Sequence, residues 1–257
     1  MAKHGRLARI FGAPKIGLDS PLEVMLFLTE SDVTIETLPQ FFKSEFMKLE
    51  LDDDGDWTFL AGMGLREHAD YDLALTDAVR PLHELQFIPR AGFRHDKYTD
   101  DRNGVSTPVL MAAASREDLL DLFMDLLAPI GDEVDVFLST SHDQSNGHCE
   151  ELYREQIDLP ILKSILYDFE EMLLNDGYFG IAVMNPQVPV ELQLDAHKLL
   201  VIYGQDLNEF EKVLLDHKLE CDNELRFINE TEHVHFSSEE FARQFEELRY
   251  RLGLDKY

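Results

Sequence analysis

The chain has 257 residues, with 51 Asp plus Glu against 23 Lys plus Arg, a formal net charge of −28. Hydrophobic residues make up 44% and charged residues 29%, which excludes collagen, coiled coil and wholesale disorder and allows a buried core. A surface this negative repels phosphate backbones and anionic headgroups, so nucleic acid and membrane surfaces are not expected as partners, and a basic protein is the partner its charge would select.

Only Cys149 and Cys221 are present, in no CxxC motif, which is the profile of a reducing compartment. The first 16 residues are basic but no apolar stretch of secretory length follows them, and runs such as 199–203 are far too short to span a bilayer. A soluble cytoplasmic protein is expected.

In chain order, residues 24–28 read as a strand and 38–47 as a helix. Residues 49–51 and 57–60 suit a hairpin across an acidic tip with Asp54-Gly55 at its turn. Placing Gly55 at the sixth position of a calcium loop puts Glu50, Asp52 and Asp54 at positions 1, 3 and 5. The twelfth position, which needs a bidentate glutamate, is then Ala61, so the tip is not an EF-hand. Gly62-Met63-Gly64 fails as a dinucleotide fingerprint because Glu67 stands where a third small residue must let the pyrophosphate approach.

Residues 88–107 carry no secondary-structure signal and read as a long loop. Next comes a strand at 109–113, then a helix capped by Ser115 over Leu119, Leu120, Phe123, Leu126 and Leu127, then a strand at 134–138. The polar stretch 139–156 is the best domain boundary, giving an N-terminal α/β half (1–148) and a C-terminal α+β half (149–257).

Asp158 and Pro160 open a helix with Ile161, Leu162, Ile165, Leu166, Phe169, Met172 and Leu173 as its apolar stripe, and Gly177 is expected to end it in a left-handed conformation. Residues 179–184, 188–194 and 199–203 read as three strands. In the middle one Val190, Leu192 and Leu194 alternate with Glu191, Gln193 and Asp195, so one face is expected to meet water. A helix capped by Asp206 and Glu209 follows, with His217 at the edge of its apolar stripe. Strand segments at 225–228 and 233–236 come next, separated by a turn because their apolar phase flips. Ser237 and Glu240 cap a final helix that stops at Gly253. The fold class is α+β, with antiparallel or mixed sheets each covered by helices on one face, in an order compatible with two similar halves.

Two groups of residues could carry chemistry. His142, His148, Cys149 and Glu150 lie together after a predicted strand, and His233 and His235, two apart on a strand, project to one side next to Glu232. Imidazole, thiolate and carboxylate are ligands for zinc or iron, although neither group repeats a standard spacing. Separately, Arg90, Arg94, His95, Lys97 and Arg102 make the 88–107 segment cationic on an anionic chain, a pattern that suits an anionic ligand or a partner contact.

Walker, nucleophile-elbow and HExxH motifs are all absent. Two functional classes therefore stand. One is a non-enzymatic protein-binding or regulatory module without a cofactor. The other is a divalent-metal-dependent hydrolase using His and carboxylate groups near 142–150 and 232–235.

Overall fold

The three strand segments expected at 179–184, 188–194 and 199–203 build a meander. β8 (Phe179–Asn185), β9 (Val190–Leu194) and β10 (Leu200–Gly204) pair antiparallel, with Val183 opposite Leu192 and Leu192 opposite Ile202. The computed structural model describes residues 73–81, 88–99, 104–142, 150–185 and 187–254, plus the backbone of 50–51 and 57–58. The meander forms the middle of a seven-stranded sheet whose pairs are all antiparallel.

In chain order the earlier strands are β1 (Glu50–Leu51), β2 (Trp57–Thr58), β3 (Val79–Pro81), β4 (Gly92–Thr99), β5 (Ser106–Ala113), β6 (Glu133–Thr140) and β7 (Glu150–Asp158). The large sheet has the order β4-β5-β10-β9-β8-β6-β7, so strands from both sides of residue 148 lie side by side in it. β1 pairs with β2, and β3 pairs with β11 (His233–His235), in two separate two-stranded ribbons.

Register explains where the core lies. Val136, Val183, Leu192, Ile202 and Leu110 face one another in a single row across five strands, and each is fully buried. The same cluster takes in side chains from α1 (Arg116–Leu126), α2 (Leu159–Tyr167), α3 (Glu170–Asn175), α4 (Asn208–Asp216) and α5 (Glu239–Arg251), for example Phe123, Leu166, Met172, Leu214 and Phe245. The α+β class holds, and among the described residues no helix is long and apolar enough to cross a membrane.

A second apolar cluster lies on the opposite pleat, with Val109, Ala113, Leu199, Val201, Tyr203, Leu225 and Phe227. The expectation that the Glu191 side of β9 meets water is therefore corrected: Glu191 is only 1% exposed.

Several local expectations change for identifiable reasons. The segment 88–107 contains β4, and 139–156 includes the end of β6 and most of β7, rather than loops. β4 and β7 are the two outermost strands of the sheet. Edge strands carry charge and need little apolar periodicity, so they left no strand signal. Residues 225–228 are not a strand; a short 3₁₀ turn at Ile228–Glu230 leads into β11.

Ser238, not Ser237, caps the last helix by accepting a hydrogen bond from the Phe241 amide, and Gly253 ends that helix at φ +67. Ser115 flanks α1, but its hydroxyl accepts from Ala74 N instead of capping the helix, and Leu207 takes the cap position expected for Asp206. Gly177 has no left-handed φ. A Cβ there would stand 2.2 Å from the Ala78 carbonyl oxygen, so close approach is what requires glycine. The segments 24–28, 38–47 and 62–67, with Arg102, His148 and Cys149, lie outside the described residues.

Candidate metal centre

Extended backbone puts every second side chain on one side, so His233 and His235 of β11 project together. The third group comes from the turn between β9 and β10. There the Asp195 carboxylate folds the chain over itself: Oδ1 accepts from the amides of His197 and Leu199, both at 2.9 Å, and Lys198 takes the left-handed conformation at φ +63. This turn delivers His197 to the β11 pair. One potential donor atom from each of His197, His233 and His235 lies within 4.8 Å of the other two. The rings meet edge to face, with centroids 4.7–5.0 Å apart.

The hydrogen-bond partners fix the tautomers. His197 Nδ1 is 2.8 Å from Asp195 Oδ2, His233 Nδ1 is 2.6 Å from the Thr231 carbonyl, and His235 Nδ1 is 2.9 Å from the Gly177 carbonyl. Carbonyl and carboxylate oxygens only accept, so each Nδ1 carries the proton and each neutral ring keeps its lone pair on Nε2. The Nε2 atoms of His197 and His233 are 3.0 Å apart. Two lone pairs at that distance repel unless a proton or a cation sits between them.

Burial disfavours protonation of two of the three rings. It lowers the pKa of His233, and the neighbouring His197 ring lowers it further, against the opposing hydrogen bond to Thr231. His235 is pushed down to about 4, first by burial and then by the neighbouring His197 and His233. Burial opposes ionisation of Asp195, but hydrogen bonds from His197 and the Leu199 amide, with the nearby Lys198 ammonium, hold its carboxyl below the usual range. The result is three imidazoles packed edge to face, each with an oxygen acceptor behind its Nδ1, which is how protein imidazoles are oriented for metals.

A small cleft adjoins the turn, lined by His197 and Lys198 together with apolar groups such as Leu73, Leu75, Val79 and Phe227.

The structure brings together only part of the metal set read from sequence. His233 and His235 converge. His142 lies outside that cluster: its Nδ1 meets Thr140 Oγ1 at 2.8 Å, and its Nε2 lies 3.1 Å from Ser237 Oγ and 2.9 Å from the buried Asp176 carboxylate. Glu150 begins β7 opposite Thr140. His197, which lies between the strands expected at 188–194 and 199–203 and was not among the candidate ligands, completes the group. The Asp195-Ala196-His197 spacing at a strand end was the available signal, because a carboxylate two residues before a histidine can reach its Nδ1.

Three members of the cationic set, Arg90, Arg94 and His95, are engaged internally. Arg90 pairs with Asp222 at 2.6 Å, Arg94 binds Glu230 and the Leu225 carbonyl and lies 4.9 Å over the Phe227 ring, and His95 is 3.3 Å from Glu211. The backbone amide of Lys97 donates to the Asp96 carboxylate. His217 sits at the end of α4, 2.9 Å from Asp125 and partly exposed.

Searches against protein-family models, curated proteins and solved structures find no match to this chain.

Proposed function

We propose that His197, His233 and His235 bind one divalent transition-metal ion, with zinc as the best fit, and that the protein is a metal-dependent hydrolase. The reading rests on one observation: three imidazoles converge with every Nδ1 committed to an oxygen acceptor, which leaves three Nε2 lone pairs for one ion.

Bonds of about 2.0–2.1 Å at tetrahedral angles separate zinc-bound nitrogens by about 3.3 Å. The His197–His233 pair is at 3.0 Å, and the whole set lies within 4.8 Å, so small side-chain torsions would complete the geometry. An all-nitrogen set disfavours calcium and magnesium, which select oxygen ligands.

Three protein ligands with a free fourth position is the pattern of catalytic rather than structural zinc. A zinc ion held by His197, His233 and His235 would supply Lewis acidity that activates water near neutral pH. The substrate would lie in the adjoining cleft lined by His197, Lys198 and apolar side chains, with water as both the nucleophile and the source of the leaving group's proton. The substrate class is an ester, amide or phosphoester.

The test is metal analysis of the purified full-length chain, with zinc titration against a chromophoric chelator and assay of chromogenic esters and phosphoesters. We expect one zinc per chain, lost in His235→Ala, and zinc-dependent turnover. Equal binding by wild type and His235→Ala would overturn the site. Stoichiometric binding without turnover on any of these substrate types would overturn the hydrolytic reading.

A further inference from the structure

Lys198 is the residue that the proposed chemistry leaves unused. It is 4% exposed, and a lysine this far from water is rare without a dedicated partner set. Its Nζ donates to the Phe179 carbonyl at 3.1 Å and lies 5.6 Å from the centre of the Phe179 ring. The charges that act on it are Asp176 and Asp195. Its backbone adopts φ +63, a conformation that side chains with a Cβ adopt at a cost.

The two carboxylates near Lys198 belong to the two turns that orient the imidazoles. Asp195 accepts from His197 Nδ1 and builds the turn that carries it. Asp176 is fully buried, accepts from the Tyr178 amide at 3.0 Å, and immediately precedes Gly177, whose carbonyl holds His235 Nδ1. One ammonium thus joins residues 195–198 to residues 176–179.

We infer that Lys198 is a positioning residue of the centre, fixing the spacing between His197 and His235 by tying the turn at 195–198 to the turn at 176–179. The inference rests on the metal-centre reading above and adds an outer layer to it. Lys198 touches no ligand atom of the ion. It acts through Asp195 on one side and through the Asp176–Gly177 segment on the other. Groups of this kind typically change metal affinity by 10- to 100-fold.

The experiment compares wild type, Lys198→Met, Lys198→Arg and Asp176→Asn as full-length chains. Each is loaded with cobalt(II) as a spectroscopic probe and titrated with zinc against a chelator. Thermal unfolding of the metal-free forms identifies variants that have lost the fold.

The expected result is at least tenfold weaker zinc binding in Lys198→Met, with altered cobalt d–d bands, and partial recovery of both in Lys198→Arg. Asp176→Asn is expected to weaken binding in the same direction, and it decides the matter if Lys198→Met does not fold. A folded Lys198→Met with wild-type affinity and spectrum would overturn the positioning role while leaving the metal centre standing. Wild type that binds neither ion better than His235→Ala would remove the centre itself, and this inference with it.

Discussion

The Nε2 atoms of His197 and His233 stand 3.0 Å apart although each ring has its Nδ1 proton committed elsewhere, to Asp195 and to the Thr231 carbonyl. Those commitments come from different parts of the chain: a tight turn between two strands of the large sheet, and the backbone just before a two-residue-spaced pair on a separate ribbon. An arrangement that turns three lone pairs inward costs the metal-free protein something, and that cost should be visible in its pH response.

The first prediction concerns acid. His235 has its folded-state pKa lowered to about 4 from an ordinary 6.5. Its contribution to stability is therefore fully present above pH 6.5 and is lost as pH falls through that window toward 4, because the unfolded chain takes up the proton more readily. A shift of this size corresponds to at most ~3 kcal/mol. Denaturant midpoints of the metal-free protein between pH 7 and pH 4 should fall more steeply for wild type than for His235→Asn. Parallel slopes would contradict the assigned environment.

Glu191 gives the opposite sign. Burial raises its pKa, partly offset by the hydrogen bond from Gln193. An acid whose folded pKa lies above its unfolded value stabilises below the unfolded pKa and loses that contribution as pH rises through the folded one. Glu191→Gln should accordingly unfold at higher temperature than wild type near neutral pH, with the gap closing below about pH 4. Calorimetric scans across pH test this; a gap that persists in acid would mean that packing, not ionisation, is responsible.

Gly177→Ala probes the link between packing and the centre. The added methyl would meet the Ala78 carbonyl at 2.2 Å and the Phe236 backbone at 2.8 Å, so the chain must move there. Overpacking of this kind costs about 1–3 kcal/mol. The same residue supplies the carbonyl that holds His235 Nδ1, so zinc affinity should fall together with the melting temperature. Loss of stability with unchanged affinity would show that the carbonyl keeps its place.

The sequence was most legible where apolar spacing is regular. The stripe of α1 and the apolar runs that became Phe179–Asn185, Val190–Leu194 and Leu200–Gly204 led directly to the right elements, although the strands are buried on both faces and not on one. β4 and β7 escaped because Phe93 is the one large side chain of β4 that is fully buried, while the β7 side chains are mostly solvent-facing. Two of the three histidines of the site were legible for a related reason. His233 and His235 share a strand, so their common direction is a local property. Their meeting with His197 depends on β11 pairing with β3 while β9 and β10 lie in another sheet, and no local pattern encodes that juxtaposition. His142 illustrates the converse: adjacency in sequence to His148 and Cys149 suggested a shared site, but its contacts run to Asp176 and Ser237.

The ladder that joins β11 to β3 is only three residues long and stands apart from the large sheet. Two of the three imidazoles ride on that ribbon and the third on the sheet, so an ion held by all of them would cross-link the ribbon to the sheet. Ion occupancy would then govern how often the ribbon opens, and amide exchange at Val234 and His235 would be a readout of loading that needs no substrate.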